Sequence, residues 1–183
     1  MAGVAPAEAQ PVKAAFWMLG ALVSFSSMAI AGRELTGQYD TFEMMLYRSI
    51  TGLVIVLVVA GALGRLREIT PRHMPFHLAR NLFHFSGQNL WFYAVGVIPL
   101  AQVFALEFTS PIWVALLAPL VLGERLTRTR ISAAIIGFLG VLFVARPGAE
   151  PISPGVVIAM LAAICFAGTF LFTKLLTRVA SIT

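Results

Sequence analysis

Six polar side chains in the apolar parts of this sequence have the chemistry to bind a polar small molecule. Arginine and glutamate bind opposite charges, and amide, indole and hydroxyl groups form hydrogen bonds. A charged side chain inside a bilayer costs several kcal/mol unless it faces protein or water. We therefore expect Arg48 and Glu107 to line a solute path, or alternatively to form a structural ion pair with each other. The candidate binding residues are Arg48, Gln88, Asn89, Trp91, Glu107 and Ser110.

The spacing of these residues places several of them on shared helix faces. Side chains three, four or seven positions apart lie on one face of a helix. Asn81, His84, Gln88 and Trp91 follow this spacing. Glu107, Ser110 and Pro111 do so in the next apolar run, where Pro111 and Pro119 also interrupt the helical pattern.

Enzymatic motifs are absent from the sequence. It contains neither a GxxxxGK[ST] nucleotide loop nor an HExxH metal pair. His84 and Ser86 do not share a helix face, so they do not form a nucleophile and base pair. The single Cys165 allows no internal disulfide. We expect no catalytic residue, no cofactor and no metal site.

Composition indicates an integral membrane protein. Hydrophobic residues make up 59% of the chain and charged residues 11%, whereas a typical soluble domain has about 25% charged residues. The mean hydropathy is +0.89. The isoelectric point near 10.1 does not indicate nucleic acid, because the basic residues lie in short loops between apolar runs. The expected surroundings are a lipid bilayer, with no nucleic-acid partner.

Long apolar segments predict an all-α fold. They are too long for barrel strands and lack the alternation of such strands, so a helical bundle of about six transmembrane helices is expected. Residues 1–12, rich in Ala and Pro, are expected to form a disordered tail. The predicted segments are 14–31, 44–63, 78–98, 100–122, 131–145 and 155–176.

Basic residues predict the orientation in the membrane. With the N-terminus in the cytoplasm, the outer side holds only Arg33 and Arg146, which agrees with the positive-inside rule. The expected location is therefore the cell membrane, as a multi-pass protein. The cytoplasmic side then holds Lys13, Arg65, Arg67, Arg72, Arg80, Arg125, Arg128, Arg130, Lys174 and Arg178.

Depth in the membrane aligns the polar residues of four helices. At a rise of about 1.5 Å per residue, they fall roughly 10–13 Å below the outer boundary. This alignment predicts a polar layer, which consists of Ser24, Arg48, Gln88, Asn89 and Glu107.

A weak internal repeat relates the first and sixth segments. A shift of 141 positions aligns Arg33 with Lys174 and Leu35-Thr36 with Leu176-Thr177. Because five helices separate the two starts, the repeat is inverted, as in many secondary transporters. We expect residues 13–147 to form a first five-helix repeat and residues 148–183 to begin a second repeat that is cut off. Small residues in the fifth segment, among them Gly137 and Gly140, predict a packing or dimer face.

The chain resembles the first EamA-type repeat of the drug/metabolite transporter superfamily. The resemblance lies in TFEMMLYR at 41–48, in GQNLWFYAVGVIPLAQVFALEFTSPIWVALLAPLVLGERLT at 87–127, and in IIGFLGVLFVARPG at 135–148. The turn at Pro119, Gly123 and Glu124 is typical of it. The resemblance implies a ten-helix carrier of two inverted repeats for small metabolites such as amino acids, nucleosides, S-adenosylmethionine or riboflavin.

Two functions remain as expectations. The first is a secondary transporter that binds a small organic metabolite near the midplane in a polar-lined cavity. The second is a half-carrier or fragment that acts as a membrane assembly partner, completed by the missing second repeat or by a second copy as a homodimer. A site between two repeats would lack half its wall in this chain. We therefore expect the 183-residue chain alone not to transport.

Overall fold

The fold is helical throughout the part of the chain that the structure describes. A computed structural model describes residues 11–66, 73–124, 127–145 and 153–179. Within these ranges the chain forms seven helices: α1 (Pro11–Leu35), α2 (Thr41–Ala62), α3 (Met74–Val97), α4 (Leu100–Glu107), α5 (Ser110–Leu122), α6 (Arg128–Ala145) and α7 (Pro154–Val179). The predicted all-α membrane bundle is confirmed.

Four stretches are long and apolar enough to cross a membrane: Val12–Leu35, Thr41–Ala62, Leu100–Leu122 and Pro154–Arg178. The other two predicted segments are also helical. Of these, α3 has sufficient length at 24 residues but carries several polar side chains, and the apolar part of α6 is shorter, at Ile131–Phe143. Residues 1–10 of the predicted tail and Arg67, Arg72, Arg125 and Arg146 lie outside the described residues, whereas Pro11 and Val12 belong to α1.

The fourth predicted segment is divided into α4 and α5 at Phe108 and Thr109. Pro111 lies in the first turn of α5 and has no N–H to donate to the carbonyl of Glu107, four residues earlier. The Ser110 hydroxyl donates to that carbonyl instead, with 2.7 Å between the oxygens. Pro119 lies inside α5, which continues to Leu122. The predicted interruption therefore occurs at the first proline and not at the second.

The closest helix pair is α3 with α7, and small residues make it possible. At Gly87 of α3, an added Cβ would lie 3.1 Å from the Cys165 Cβ and from the Phe166 ring. At Gly168 of α7, an added Cβ would lie 2.7 Å from the Phe83 ring. Helix α7 also packs on α4 and α5, so it contacts α3, α4 and α5 together.

The C-terminal end of α3 is held by α1. The last carbonyls of a helix lack partners within the helix and attract a cation. The Arg33 guanidinium donates from Nε to the Val95 oxygen at 2.8 Å, and from Nη2 to the oxygens of Val95 and Ile98. Arg33, expected only as an outer loop charge, therefore caps a neighbouring helix.

The opposite end of the bundle is held by ion pairs between α5 and α7. Gly123 ends α5 in a left-handed conformation with φ 65°, which glycine adopts without strain. The adjacent Glu124 carboxylate lies 2.7 Å from the Lys174 Nζ and also accepts from Arg178. Arg178 Nη1 donates to the Leu122 carbonyl at 3.1 Å, so one arginine serves both the glutamate and the helix end.

Helices α1 and α2 keep broad apolar surfaces exposed, and α6 packs on α4 and α5. Val141 of α6 is buried, but an added Cβ at Gly137 or Gly140 would meet nothing within 4 Å. The predicted close approach through these two glycines does not occur within the described part of this chain. The expected dimer face stays a prediction.

The α3–α7 contact predicts opposite effects for one substitution at two glycines. Gly168→Ala should destabilise the protein by about 1–3 kcal/mol, because the new methyl group overlaps the Phe83 ring. Gly140→Ala is the matched control and should be neutral or stabilising by up to about 1 kcal/mol, because alanine favours helix and the space is open. Thermal unfolding in detergent measures both. Equal stability of the two variants would show that α3 and α7 do not pack as described.

The charge bias predicts the membrane orientation. A cysteine at Gln38, in the α1–α2 turn, should react with an impermeant thiol reagent in intact cells, and a cysteine at Arg65, beyond α2, should not. The parent chain, with its partly buried Cys165, gives the background labelling. Labelling of the cysteine at position 65 and not of the one at position 38 would show that the N-terminus lies outside the cytoplasm.

Candidate functional site

Arg48 and Gln88 join α2 to α3 inside the membrane. The Arg48 Nη1 donates to the Gln88 Oε1. Gln88 is buried, with 7% of its surface exposed. An uncharged amide thus orients the guanidinium, and four of the five N–H groups of an arginine remain for other acceptors.

Trp91 and Glu107 join α3 to α4, one helical turn away from the first pair. The Trp91 Nε1 donates to the Glu107 Oε2 at 2.8 Å. Trp91 is 2% exposed and packs against the rings of Phe25, Phe92 and Phe104. The indole therefore fixes one carboxylate oxygen, while Glu107 itself is only partly buried.

Arg48 and Glu107 have separate partners, so the ion pair considered from the sequence does not form. Their partners Gln88 and Trp91 lie three residues apart on α3, as the spacing predicts. Two hydrogen-bonded pairs thus use one face of α3, and the predicted polar layer at one membrane depth stays a prediction.

Ser110 and Asn89 donate hydrogen bonds to backbone carbonyls. The buried Ser110 hydroxyl lies 3.1 Å from the Ala163 carbonyl oxygen of α7, besides its contact with Glu107. Asn89 Nδ2 donates to the Phe85 carbonyl at 2.9 Å, within its own helix. Asn89 Oδ1 is buried without a hydrogen-bond partner in the described part of the chain. Ser24 lies exposed on α1, away from these contacts.

A cavity of about 520 Å³ lies between α1 and α2, with Phe92 of α3 also in its wall. Its volume is within the range of small-molecule sites, about 300–1,000 Å³. Arg48 is the charged residue in the wall, which otherwise consists of aromatic, aliphatic and thioether side chains and of Thr51, whose hydroxyl donates to the Tyr47 carbonyl. The side chains that define its chemistry are Met28, Tyr39, Met44, Tyr47, Arg48 and Phe92.

Of the six predicted binding residues, Arg48 alone lines this cavity. Ser110 is covered by α7, since its hydroxyl lies 3.1 Å from the Ala163 carbonyl oxygen. Gln88 and Trp91 face α2 and α4 through their hydrogen bonds. The residues that sequence reasoning missed are Met28, Tyr39, Met44, Tyr47 and Phe92. The sequence does not distinguish these residues from lipid-facing ones, because aromatic and thioether side chains in an apolar helix also occur where a helix contacts lipid.

The comparison with family models decides the family. Residues 12–146 match the model of the EamA-like transporter family. The chain belongs to the EamA-like transporter family. The matched region contains both hydrogen-bonded pairs and the whole wall of the cavity, so the site belongs to the family domain.

Curated relatives of this EamA-like protein are transporters by name. The chain is 30% identical over 152 residues to an S-adenosylmethionine uptake transporter of Rickettsia bellii, covering 82% of this chain and 52% of that protein. It is 35% identical over 112 residues to a riboflavin transporter of Brucella anthropi, covering 61% and 39%. It is 27% identical over 146 residues to a pseudopaline exporter of Pseudomonas aeruginosa, covering 79% and 51%.

The chain spans about half the length of the curated relatives it matches. No solved structure matches it significantly. The family match and the helices of membrane-spanning length show a multi-pass membrane protein of a transporter family.

Separate partners predict additive stability effects for Arg48 and Glu107. Because the residues do not touch, Arg48→Met and Glu107→Leu should combine within about 0.3–0.5 kcal/mol of the sum. Trp91→Phe with Glu107→Leu is the positive control and should show coupling of about 1.5–3 kcal/mol, the range for a hydrogen bond to a charged group. Unfolding free energies in detergent measure both cycles. Strong coupling in the first cycle would indicate an Arg48–Glu107 ion pair.

Proposed function

We propose that this EamA-like protein is a secondary transporter that moves a small organic metabolite across the cell membrane. The observation that carries the proposal is the cavity beside Arg48, in a membrane-spanning helix and of a size for one small molecule. The names of the relatives support it, since each includes transport or export of a small metabolite. The proposed orientation has the N-terminus in the cytoplasm.

Glu107 is the second polar group that we propose for the transport cycle. Trp91 occupies one of its carboxylate oxygens, and the other has no hydrogen bond to the described residues. A carboxylate with one unoccupied oxygen, partly buried in a membrane, attracts a cationic group of the solute or a proton. Gln88 then holds Arg48 in position, Trp91 holds Glu107, and Ser110 holds the helix break.

The second candidate is a membrane assembly partner that acts by joining another protein. The exposed apolar faces of α1 and α2 and the open surface at Gly137 and Gly140 favour it. A second EamA-type repeat or a second copy of this chain would cover those faces. Transport assays separate the two, because an assembly partner would show no solute movement of its own.

The transport proposal predicts a strong effect of Glu107→Gln. This change keeps an oxygen acceptor for Trp91 and removes the charge. Transport by membrane vesicles that contain this chain joined to a second EamA-type repeat should fall at least about tenfold, because losing one member of a close charge contact costs about 2–5 kcal/mol. The solute panel includes S-adenosylmethionine and riboflavin, after the names of the relatives.

The matched control is Glu34→Gln, at an exposed glutamate near the outer end of α1. Its transport should equal that of the parent protein, and immunoblots should show equal amounts of all three proteins in the membrane. Undiminished transport by Glu107→Gln would remove Glu107 from the mechanism. Absence of any solute movement across the panel by the parent chain joined to a second EamA-type repeat would count against the transporter proposal itself.

A further inference from the structure

Arg48 carries a charge that no described acidic side chain neutralises. Its observed acceptor is the neutral Gln88. The nearby outer acids have other partners: Asp40 and Glu43 form the capping box at the start of α2, and Glu107 accepts from Trp91. The ion pairs of the described residues involve Glu124, at the opposite end of the bundle. The guanidinium therefore lies in a membrane-spanning helix without a counter-charge among the described side chains.

The geometry leaves one edge of that guanidinium for a ligand. Gln88 accepts a hydrogen bond from Nη1. The Nε and Nη2 groups have no acceptor among the described residues. This edge presents two parallel N–H groups, the arrangement that binds a carboxylate through two hydrogen bonds. Gln88 restrains the rotation of the side chain and so holds the edge in place.

The cavity beside Arg48 suits a bulky apolar body. Its wall includes the thioethers of Met28 and Met44 and the ring of Phe92. Tyr39 and Tyr47 line it as well, with their ring centroids 6.3 Å apart in an edge-to-face contact. Aromatic and thioether side chains pack well against a planar ring system. Charge and shape thus favour a molecule with an anionic end and an apolar, preferably aromatic, body.

We propose that the cavity between α1 and α2 binds the carboxylate of an amphipathic organic solute at Arg48, with the apolar body of the solute against Tyr39, Tyr47 and Phe92. This inference rests on the transporter proposal and names its class of substrate. Arg48 lies about seven residues below the start of α2, or about 10 Å. At that depth a free carboxylate solute can reach it more readily than a phospholipid phosphate, which stays near the headgroup level.

The test compares two probes that differ by one charge. N-acetyl-tryptophan carries a carboxylate, and N-acetyl-tryptophanamide has the same body with a neutral amide. Binding is measured as the rise in the thermal unfolding midpoint of the protein in phosphatidylcholine nanodiscs. The carboxylate should bind at least about tenfold more tightly than the amide, as expected for the loss of a charge-assisted hydrogen bond.

Variants assign the difference to Arg48. Arg48→Gln should remove the preference for the carboxylate, and Arg48→Lys should retain part of it, because the charge remains without the two-pronged geometry. Arg80→Gln is the matched control: Arg80 contacts Thr173 and Asn81 and does not line the cavity, so the preference should persist. Persistence of the full preference in a folded Arg48→Gln or Arg48→Lys protein would overturn the proposal.

Three other outcomes overturn it as well. Equal binding of the two probes would remove the anion preference, and binding of neither would remove the amphipathic-solute class. If phosphatidylglycerol in the nanodisc raises the midpoint in an Arg48-dependent way and the carboxylate adds nothing, the site holds a lipid headgroup. The vesicle transport assay separates these failures from failure of the transporter proposal, since it reports solute movement whatever the charge of the solute.

Discussion

Helix α3 carries polar side chains among helices that are apolar enough to cross a membrane, and its neighbours supply the partners that those side chains require. Water is not available in the hydrocarbon region to satisfy a buried amide, indole or backbone carbonyl. Gln88 is satisfied by α2, Trp91 by α4, and the last carbonyls of α3 by Arg33 of α1. The fourth neighbour, α7, packs closely at Gly87 and accepts a hydrogen bond from Arg80 at Thr173. One polar helix thus connects the described helices that surround it.

The break between α4 and α5 follows from the same requirement. Pro111 removes the donor for the Glu107 carbonyl, and the Ser110 hydroxyl supplies a replacement. Thr109 donates its hydroxyl to the Leu106 carbonyl at 2.6 Å, so the carbonyl beside the break is satisfied too. Because these side chains restore the lost hydrogen bonds locally, the break does not need water. It also places Glu107 at the very end of α4, where its carboxylate reaches Trp91.

The sequence was sufficient for the helical segments, the family and the common face of Gln88 and Trp91, since these depend on hydropathy, motifs and helical periodicity. It was insufficient for the partners across helices. From the sequence, Arg48 and Glu107 could either line a solute path or form an ion pair with each other, because depth along each helix does not reveal which way a side chain turns. The covering of Ser110 by α7 depends on helix packing angles, and the role of Arg33 depends on where α3 ends relative to α1. These are properties of three-dimensional contact, on which hydropathy carries no information.

The helices that form most of the cavity wall have fewer contacts with the bundle than the helices opposite them. Helix α7 is bonded to α5 through Glu124 and packs tightly on α3, so α3, α5 and α7 hold one another by several independent contacts. The cavity wall consists mainly of α1 and α2, which keep most of their apolar surface exposed and are joined to the bundle chiefly through α3. Helices with few buried contacts are the ones that shift at least cost in free energy. The volume beside Arg48 is therefore set by the two least restrained helices, while the Gln88 contact that orients Arg48 belongs to the most restrained one.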